Sequence, residues 1–460
     1  MILTLLMIAS ILYLALQLED KLKVPTPLGL IALSFTAHYA FQQAPIMTGN
    51  DDKFALLVIF LLPILLISDS LELRLTELKK HAWSLLYLAV VAVVISILIA
   101  FPVAHWLLAP YQLSAAAVIV LFAMVLATDP VSVVSIFSKF ELPHQLKILA
   151  EGESLFNDAT ALIVFVFIGL YALEGGELTA IYIAEISMMV IVGSLLVGVI
   201  VGYIGLRLMK TTENRMAEMM VLIITGYGAF EISEHFYTLL NLFGASSHLH
   251  LSGILSCIFA TITVNHVINK ATDDEVNSDE IALHEEADKL NTSSSVVSLL
   301  LQRVKATFEE RNRHLRTKED VQLLAMVANT ILFVAMAEMI DMDLLWQYRT
   351  EIIAMFIATT VIRAIVMGIF VWMSHKTDKM VTVNLRWGSV LTFAGIKGGL
   401  SIVMLTMIPD SFEHLALFKA VVVGVIMLST FVYSLALIVL IKRNQAVFSV
   451  EKAAEHEHHC

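Results

Sequence analysis

The sequence predicts an all-α polytopic membrane protein with 13 transmembrane helices. Of its 460 residues, 58% are hydrophobic and only 15% are charged, whereas a soluble protein carries about 25% charged residues. Apolar runs of about 20 residues recur along the chain, and each is long enough to cross a hydrocarbon core of roughly 30 Å. In this context the net charge of −12 does not indicate a nucleic-acid partner. The two cysteines, Cys257 and Cys460, are too few for a disulfide framework.

The predicted segments follow one another through short connections, except at one long polar insert. The first segment lacks the positively charged start of a signal peptide, because Lys21 and Lys23 follow it. We therefore interpret it as a retained span. The segments cover residues 2–18, 25–42, 54–71, 82–108, 115–138, 146–173, 180–209, 216–238, 249–268, 321–341, 349–374, 387–408 and 414–441.

The basic residues predict how these segments are oriented, because cytoplasmic loops carry an excess of lysine and arginine. Nearly all of the 29 basic residues lie in loops that follow odd-numbered segments, or after the last segment. The opposite side holds Lys53, Arg349 and Lys419, while Arg363 and Lys397 fall inside segments. This alternation predicts a multi-pass protein of the cell (inner) membrane, with its N-terminus outside and its C-terminus in the cytoplasm.

The insert at residues 269–320 would then be a cytoplasmic loop. Its first half is acidic and polar, and we expect it to be mobile. Its second half has apolar residues at helical spacing with basic residues between them, which predicts an amphipathic helix on the lipid surface. A regulatory element and a plain solvated linker are both compatible with this pattern. The apolar positions are Val297, Leu300, Leu301, Val304 and Phe308.

Segments four to six and eleven to thirteen form two triplets of similar length and opposite predicted orientation, which is the pattern of an inverted repeat. The middle segment of each triplet is interrupted, by Thr128-Asp129-Pro130 in segment five and by residues 395–399 (GIKGG) in segment twelve. Proline removes a backbone donor and glycine loosens a helix. Unwound backbone at membrane depth is tolerated where it is buried in protein or lines a cavity. We expect Asp129 and Lys397 to compensate the helix dipoles at these breaks.

Segment six carries a group of oxygen-bearing side chains at helical spacing. Glu153 and Asn157 are four residues apart, as are Ser154 and Asp158, so each pair shares a helix face. Carboxylate, hydroxyl and amide oxygens suit a hard cation. A buried carboxylate normally binds a proton or a cation, and Asp158 could bind the two in turn. At about 1.5 Å per residue, Asp158 and Arg363 both lie roughly 20 Å inside their segments, so the ionisable residues of both triplets meet near one plane.

These residues resemble a known family. Residues 127–131 (ATDPV), followed by residues 151–158 (EGESLFND), are similar to the paired signature of the monovalent cation/proton antiporters. The resemblance is to the branch that holds bacterial and archaeal sodium/proton antiporters and the sodium–hydrogen exchangers. Further blocks that resemble the family lie at residues 251–255, 328–333 and 387–401. Lys397 stands where many relatives carry arginine, and Ala337 where glycine is usual; these departures bear on the coupling ratio more than on antiport itself.

The resemblance implies a homodimer in the lipid bilayer whose core domain moves against a dimerisation domain. The dimerisation domain would comprise residues 1–72 and 180–268, and the core or transport domain residues 82–173 and 349–441. The cytoplasmic insert at residues 269–320, a tenth span at 321–341 and a cytoplasmic tail at 442–460 would complete the chain.

The resemblance also implies a role for each site residue. Asp158 would bind the proton and the cation, with Glu153, Ser154 and the backbone carbonyl of Thr128 as accessory sodium ligands. Glu153 would also pair with Arg363. Asn157 and Asp129 would organise the crossing of the two interrupted segments, and Lys397 would compensate charge there. Asparagine rather than a second aspartate before Asp158 resembles the electroneutral branch, which exchanges one cation for one proton.

The implied function is secondary antiport of Na+ or Li+ against H+, without a cofactor, in pH and sodium homeostasis. This would make the protein a transporter and not an enzyme. A K+/H+ antiporter of the same fold is an alternative. A remote alternative is an intramembrane aspartyl hydrolase that uses Asp129 and Asp158. For Glu153 and Arg363, a purely structural salt bridge is also open.

Overall fold

The computed structural model describes residues 2–22, 25–40, 51–242, 251–287, 294–338 and 341–457, and the regular structure in these ranges is helical. Two helices contain a π-helical turn, at Tyr87–Val91 and at Val164–Leu170. We number the helices α1 Ile2–Leu22, α2 Thr26–Ala40, α3 Asp51–Glu72, α4 Leu75–Lys80, α5 Ala82–Leu107, α6 Ala115–Leu126, α7 Pro130–Phe137, α8 His144–Leu173, α9 Ala180–Met209, α10 Arg215–Glu234, α11 Phe236–Leu242, α12 Gly253–Ala287, α13 Ser294–Glu338, α14 Met342–Gln347, α15 Arg349–Ser374, α16 Leu385–Phe393, α17 Gly399–Thr406 and α18 Leu415–Glu457.

Seven helical segments among the described residues are long and apolar enough to cross a membrane. They are α5, the α6–α7 pair, α8, α9, α10, α15 and α18. The all-helical, multi-pass prediction is confirmed at this level. The count of thirteen spans and the N-out, C-in orientation stay predictions. The predicted tail at residues 442–460 is a direct continuation of α18 as far as Glu457, and the last three residues lie outside the described ranges.

Both predicted helix interruptions are present. Helix α6 ends at Leu126, and α7 begins at Pro130, where proline lacks only an N–H group that has no intrahelical partner at a helix start. The Asp129 carboxylate caps α7 by accepting from the Val131 N–H at 3.2 Å. Helix α16 ends at Phe393, and α17 follows from Gly398, whose backbone is extended. The breaks therefore span residues 127–129 and 394–398.

The chain divides into two compact units. Unit 1 comprises Met1–Leu62, Glu77–Met189 and Val327–Cys460, and unit 2 comprises Pro63–Thr76 and Val190–Met326. Unit 1 contains α5 to α8 and α14 to α18, and with them all the residues predicted for the site. The division of the chain into a dimerisation domain and a transport domain stays a prediction.

Close helix contacts and a buried ion cluster organise unit 2. At Gly198 of α9, a Cβ atom would lie 2.6 Å from the Ser256 carbonyl oxygen of α12, so glycine allows the two backbones to approach. Glu218 of α10 is buried, at 2% side-chain exposure, and accepts from Arg313 Nε at 2.9 Å. His314 contacts the other oxygen of the same carboxylate. These contacts pair the buried charge of Glu218, which would otherwise be costly.

Helices extend into the insert at residues 269–320 from both sides, further than the predicted segments. Helix α12 continues to Ala287, and α13 is continuous from Ser294 to Glu338. The predicted amphipathic helix and the predicted tenth span therefore belong to one helix. The reason is local, because neither stretch contains a proline or an internal glycine after Gly253, the two residues that most strongly interrupt a helix.

Candidate ion-binding site

The two helix breaks meet at a backbone hydrogen bond. The Asp129 N–H of the first break donates to the Ile396 carbonyl of the second at 2.7 Å. Gly398 lies against the same residue, and a Cβ atom there would come within 2.6 Å of the Asp129 Cβ. Glycine at this position is thus required for the close approach. The bond satisfies one polar group from each break, as buried backbone requires.

Asp158 faces this crossing from α8 and is buried, with 7% of its surface exposed. Its Oδ1 accepts from the Thr128 N–H at 2.7 Å. The break at residues 127–129 frees that N–H from its intrahelical partner and directs it to the carboxylate. The arrangement supplies one fixed donor to a buried acid that is surrounded by unwound backbone.

Three further polar side chains gather around Thr128, which is itself buried. Ser154 donates its hydroxyl to Thr128 Oγ1 at 2.8 Å. Asn157 Nδ2 donates to the Leu126 carbonyl at 3.0 Å and to Thr128 Oγ1 at 3.3 Å. The amide of Asn157 therefore ties α8 to the unwound end of α6. Hydroxyl, amide and carboxylate groups therefore lie within hydrogen-bonding distance of the first break.

Glu153 and Arg363 form a two-pronged ion pair. Arg363 Nη1 and Nη2 donate to the two oxygens of Glu153 at 3.0 and 2.9 Å. The same guanidinium donates to the carbonyls of Thr392 and Leu391, each at 3.0 Å, near the end of α16. Both members are buried, and the pair is neutral as a whole, which is the condition under which buried charges persist. The predicted contact between these residues is present.

Lys397 and Asp129 each lie next to a helix terminus at the first break. The Lys397 ammonium donates to the Leu126 carbonyl at 3.3 Å, at the C-terminal end of α6, where a helix dipole favours a cation. Asp129 caps the N-terminus of α7, where the dipole favours an anion, and packs against Gly398. Lys397 thus contacts the end of α6, although it is carried by the segment between α16 and α17.

Sequence reasoning missed two residues that support the crossing. Ser132 donates its hydroxyl to the Asp129 carboxylate; its position three residues after the cap is a local signal that could have indicated the contact. Ser429 of α18 accepts from the Lys397 N–H at 3.2 Å. No local pattern marks Ser429, since its partner lies in a distant part of the chain.

Comparisons with known proteins place the chain in a family. The model of the sodium/hydrogen exchanger transmembrane family matches residues 6–279. The chain belongs to this family. It is similar to the Na+/H+ antiporter NhaH of Halobacillus dabanensis, with 29% identity over 195 residues that cover 42% of this chain and 48% of the relative. It also resembles the low-affinity Na+/H+ antiporter NhaS1 of a Synechocystis strain, with 22% identity over 90% of this chain and 68% of the relative.

Several of these alignments are partial. The chain aligns with about half the length of NhaH from H. dabanensis and of NhaH from Halobacillus aidingensis. The solved structure of the sodium proton antiporter MjNhaP1 of Methanocaldococcus jannaschii at pH 8 is similar over nearly the whole fold, with a TM-score of 0.65, 16% identity, and coverage of 97% of this chain and 99% of that one. The similarity establishes that this family member has the fold of that structure.

Proposed function

We propose that the chain is a secondary antiporter that exchanges Na+ or Li+ for H+ by alternating access, with Asp158 as the residue for which cation and proton compete. The observation that carries the proposal is the placement of the Asp158 carboxylate at the crossing of two broken helices, 2.7 Å from the Thr128 N–H. A buried, ionisable group beside unwound backbone is typical of transporter sites. The named activity of similar proteins supports the same conclusion.

The charges around the site support one-for-one exchange. Arg363 neutralises Glu153 through two hydrogen bonds, and the Lys397 ammonium donates to the Leu126 carbonyl at 3.3 Å. Asn157 is uncharged. Asp158 accepts from a neutral backbone N–H, and its charge can be neutralised either by a proton or by a monovalent cation. Exchange of one for the other moves no net charge, so transport would be electroneutral.

The cation would bind between Asp158 and oxygens of the surrounding residues. Ser154 and Thr128 offer hydroxyl oxygens next to each other, 2.8 Å apart, and the Thr128 carbonyl belongs to the break. Such hard oxygens favour an alkali cation. Both carboxylate oxygens of Glu153 accept from Arg363. We therefore expect Glu153 mainly to position Arg363 and to contribute less to direct binding of the cation. Protonation of Asp158 would remove the charge that holds the cation and release it.

The architecture around this site is part of the proposal. It comprises 13 spans with the N-terminus outside, an inverted repeat centred on the two breaks, and a homodimer formed through residues 1–72 and 180–268. The likeness of the fold to a solved sodium proton antiporter supports it. The physiological role would be pH and sodium homeostasis at the cell membrane.

A flux measurement tests the proposal. The purified chain is reconstituted into liposomes with a preset proton gradient, and a pH-sensitive dye follows the gradient after addition of NaCl, LiCl, KCl or choline chloride. Rapid collapse with Na+ or Li+ but not choline, unchanged when valinomycin and K+ clamp the voltage, is the expected result. Collapse with K+ alone would establish the K+/H+ alternative in place of sodium exchange.

Absence of collapse with any cation, from a folded preparation over a broad pH range, would overturn the proposal. Cleavage of membrane peptides in such a preparation would establish the hydrolase alternative. Two contacts argue against that alternative, since Asp129 caps α7 and Asp158 accepts from a backbone N–H, so the two carboxylates do not face each other as a hydrogen-bonded pair.

A further inference from the structure

The last helix extends well beyond its predicted membrane segment, which ends near residue 441, and continues to Glu457. This extension carries two glutamates four residues apart, Glu451 and Glu455, which share one helix face. Each contacts the start of a helix that builds the site. Glu451 contacts the start of α16, and Glu455 contacts the start of α8.

Glu451 accepts three hydrogen bonds from the first turn of α16 and the residue before it. Trp387 Nε1 donates to Oε2 at 2.8 Å, Arg386 Nη2 donates to Oε1 at 3.0 Å, and Asn384 Nδ2 donates to Oε1 at 3.2 Å. Asn384 also caps α16, since its Oδ1 accepts from the Trp387 N–H at 2.9 Å. The Glu451 carboxylate therefore holds the side chains of Asn384, Arg386 and Trp387 in place at the start of α16.

Glu455 supplies a cap that α8 lacks in its own sequence. The residue at the cap position is Pro143, which makes no side-chain capping bond. The first N–H groups of a helix need an external acceptor and favour a negative charge. Glu455 Oε2 accepts from the His144 N–H at 2.6 Å, so a carboxylate from α18 takes the place of the missing local cap.

Other contacts dock the extension at the same place. Gln445 Nε2 donates to the Glu141 carbonyl at 3.3 Å, in the segment that leads into α8. Phe448 lies between the polar contacts and is completely buried. The extension is thus packed as well as hydrogen-bonded, and the two glutamates are held at their partners.

We propose that Glu451 and Glu455 are positioning residues: through them the extension of α18 holds the starts of α8 and α16 together and thereby sets the geometry of the ion site. Helix α8 carries Asp158 about 21 Å from His144, at about 1.5 Å per residue. Helix α16 supplies the Leu391 and Thr392 carbonyls that hold Arg363. Because both helices are continuous up to the site, a shift at their starts is transmitted to it. The effect on transport rests on the proposed antiport.

The first test is hydrogen–deuterium exchange on the full-length protein with Glu451→Gln, Glu455→Gln and both together. Loss of a cap weakens the first turn of a helix, so the double variant should exchange about three- to tenfold faster in the peptides that cover residues 143–149 and 384–390. Arg443→Gln is the matched control on the same helix, since Arg443 is exposed. If both peptides of the double variant exchange as slowly as those of the parent protein, the proposal is overturned.

The second test separates positioning from a purely structural role. In proteoliposomes the double variant should raise the KM for Na+ about threefold or more while the maximal rate at saturating Na+ stays within about twofold, because the site is misplaced but its groups are intact. Faster hydrogen exchange with an unchanged KM would overturn the positioning role. If the parent protein itself shows no exchange of Na+ for H+, the proposed function fails, and the deuterium measurement still decides whether the extension holds the two helices.

Discussion

The Lys397 ammonium lies 3.3 Å from the Leu126 carbonyl oxygen, so a charge carried by one helix break stabilises the end of the helix that precedes the other. The Leu126 carbonyl at the end of α6 accepts from Lys397 and also from Asn157 Nδ2 at 3.0 Å. A cation at a helix C-terminus is favourable. The two breaks are therefore chemically dependent on each other, and neither is a self-contained unit.

Replacing Lys397 tests this dependence. Lys397→Met removes the positive charge of the ammonium. We expect this variant to have a free energy of unfolding lower by about 1–2 kcal/mol and to exchange Na+ for H+ more slowly. Lys397→Arg retains the charge and should recover most of the stability. Thermal unfolding of the detergent-solubilised protein measures the difference. Equal stability of the two variants would contradict a role for the charge at α6.

Asp158→Asn should reduce cation-dependent proton flux to the level of empty liposomes. Asparagine has nearly the same shape and can still accept from the Thr128 N–H, so we expect the protein to fold, but it cannot bind and release a proton. Asp410→Asn, at an exposed position, is the matched control and should exchange at the parental rate. Substantial flux in Asp158→Asn would remove Asp158 from the central role.

The Glu153–Arg363 pair predicts a specific pattern of stability changes. Removing one partner leaves an uncompensated buried charge, so Glu153→Leu or Arg363→Met alone should cost about 3–5 kcal/mol. The double variant should recover most of that loss, because both charges are gone. A double-mutant cycle on thermal unfolding measures the coupling. Simple additivity of the two single changes would show that the pair does not act as a unit.

Gly398→Ala should disturb the crossing itself. The added Cβ would lie 2.6 Å from the Asp129 Cβ, too close for the two breaks to keep their hydrogen bond. We expect a loss of about 1–3 kcal/mol in the free energy of unfolding, together with slower exchange. Gly368→Ala is the matched control, because no atom lies within 4 Å of the added group there. Comparable stability of the two variants would contradict the close approach.

His81 predicts a pH dependence of stability outside the membrane segments. Burial lowers the pKa of His81 below its ordinary value of 6.5; Glu77 opposes this shift, while Lys80 and His144 add to it. The unfolded chain then binds a proton more readily than the folded one, so this contribution to stability is complete above about pH 6.5 and is lost as the pH falls below it.

His81→Gln should therefore reduce the fall in thermal midpoint between pH 7.5 and pH 5.5 relative to the parent protein. The exposed His105→Gln is the control and should keep the parental slope. An identical slope for His81→Gln and the parent would show that another group controls stability in this range.

The sequence was sufficient to predict the membrane class, the two helix breaks and the grouping of the polar residues at the site. The reasons are local: Pro130 and the glycines at residues 395–399 interrupt helices wherever they stand, and the four-residue spacing on α8 fixes which side chains share a face. The Glu153–Arg363 contact was expected through the family resemblance, and the structure shows it as two hydrogen bonds.

The sequence could not predict contacts that depend on how distant segments pack. The contact between Lys397 and the Leu126 carbonyl is one of these, because only the crossing brings the end of α6 within reach of the ammonium. Ser429 and Glu451 gave no local signal, since their partners lie in other parts of the chain. Helices α12 and α13 extend further than the predicted segments, because their polar stretches contain no proline or glycine to end them.

The Asp129–Ile396 hydrogen bond makes the two non-helical stretches intolerant of changes in length. Ordinary connecting segments accept insertions and deletions readily. Here one added residue would lengthen the path by about 3.3 Å and displace either the Thr128 N–H from Asp158 or the Ile396 carbonyl from Asp129. A library of single-codon insertions should therefore find the fewest functional survivors at residues 127–129 and 394–398, where the backbone is least regular.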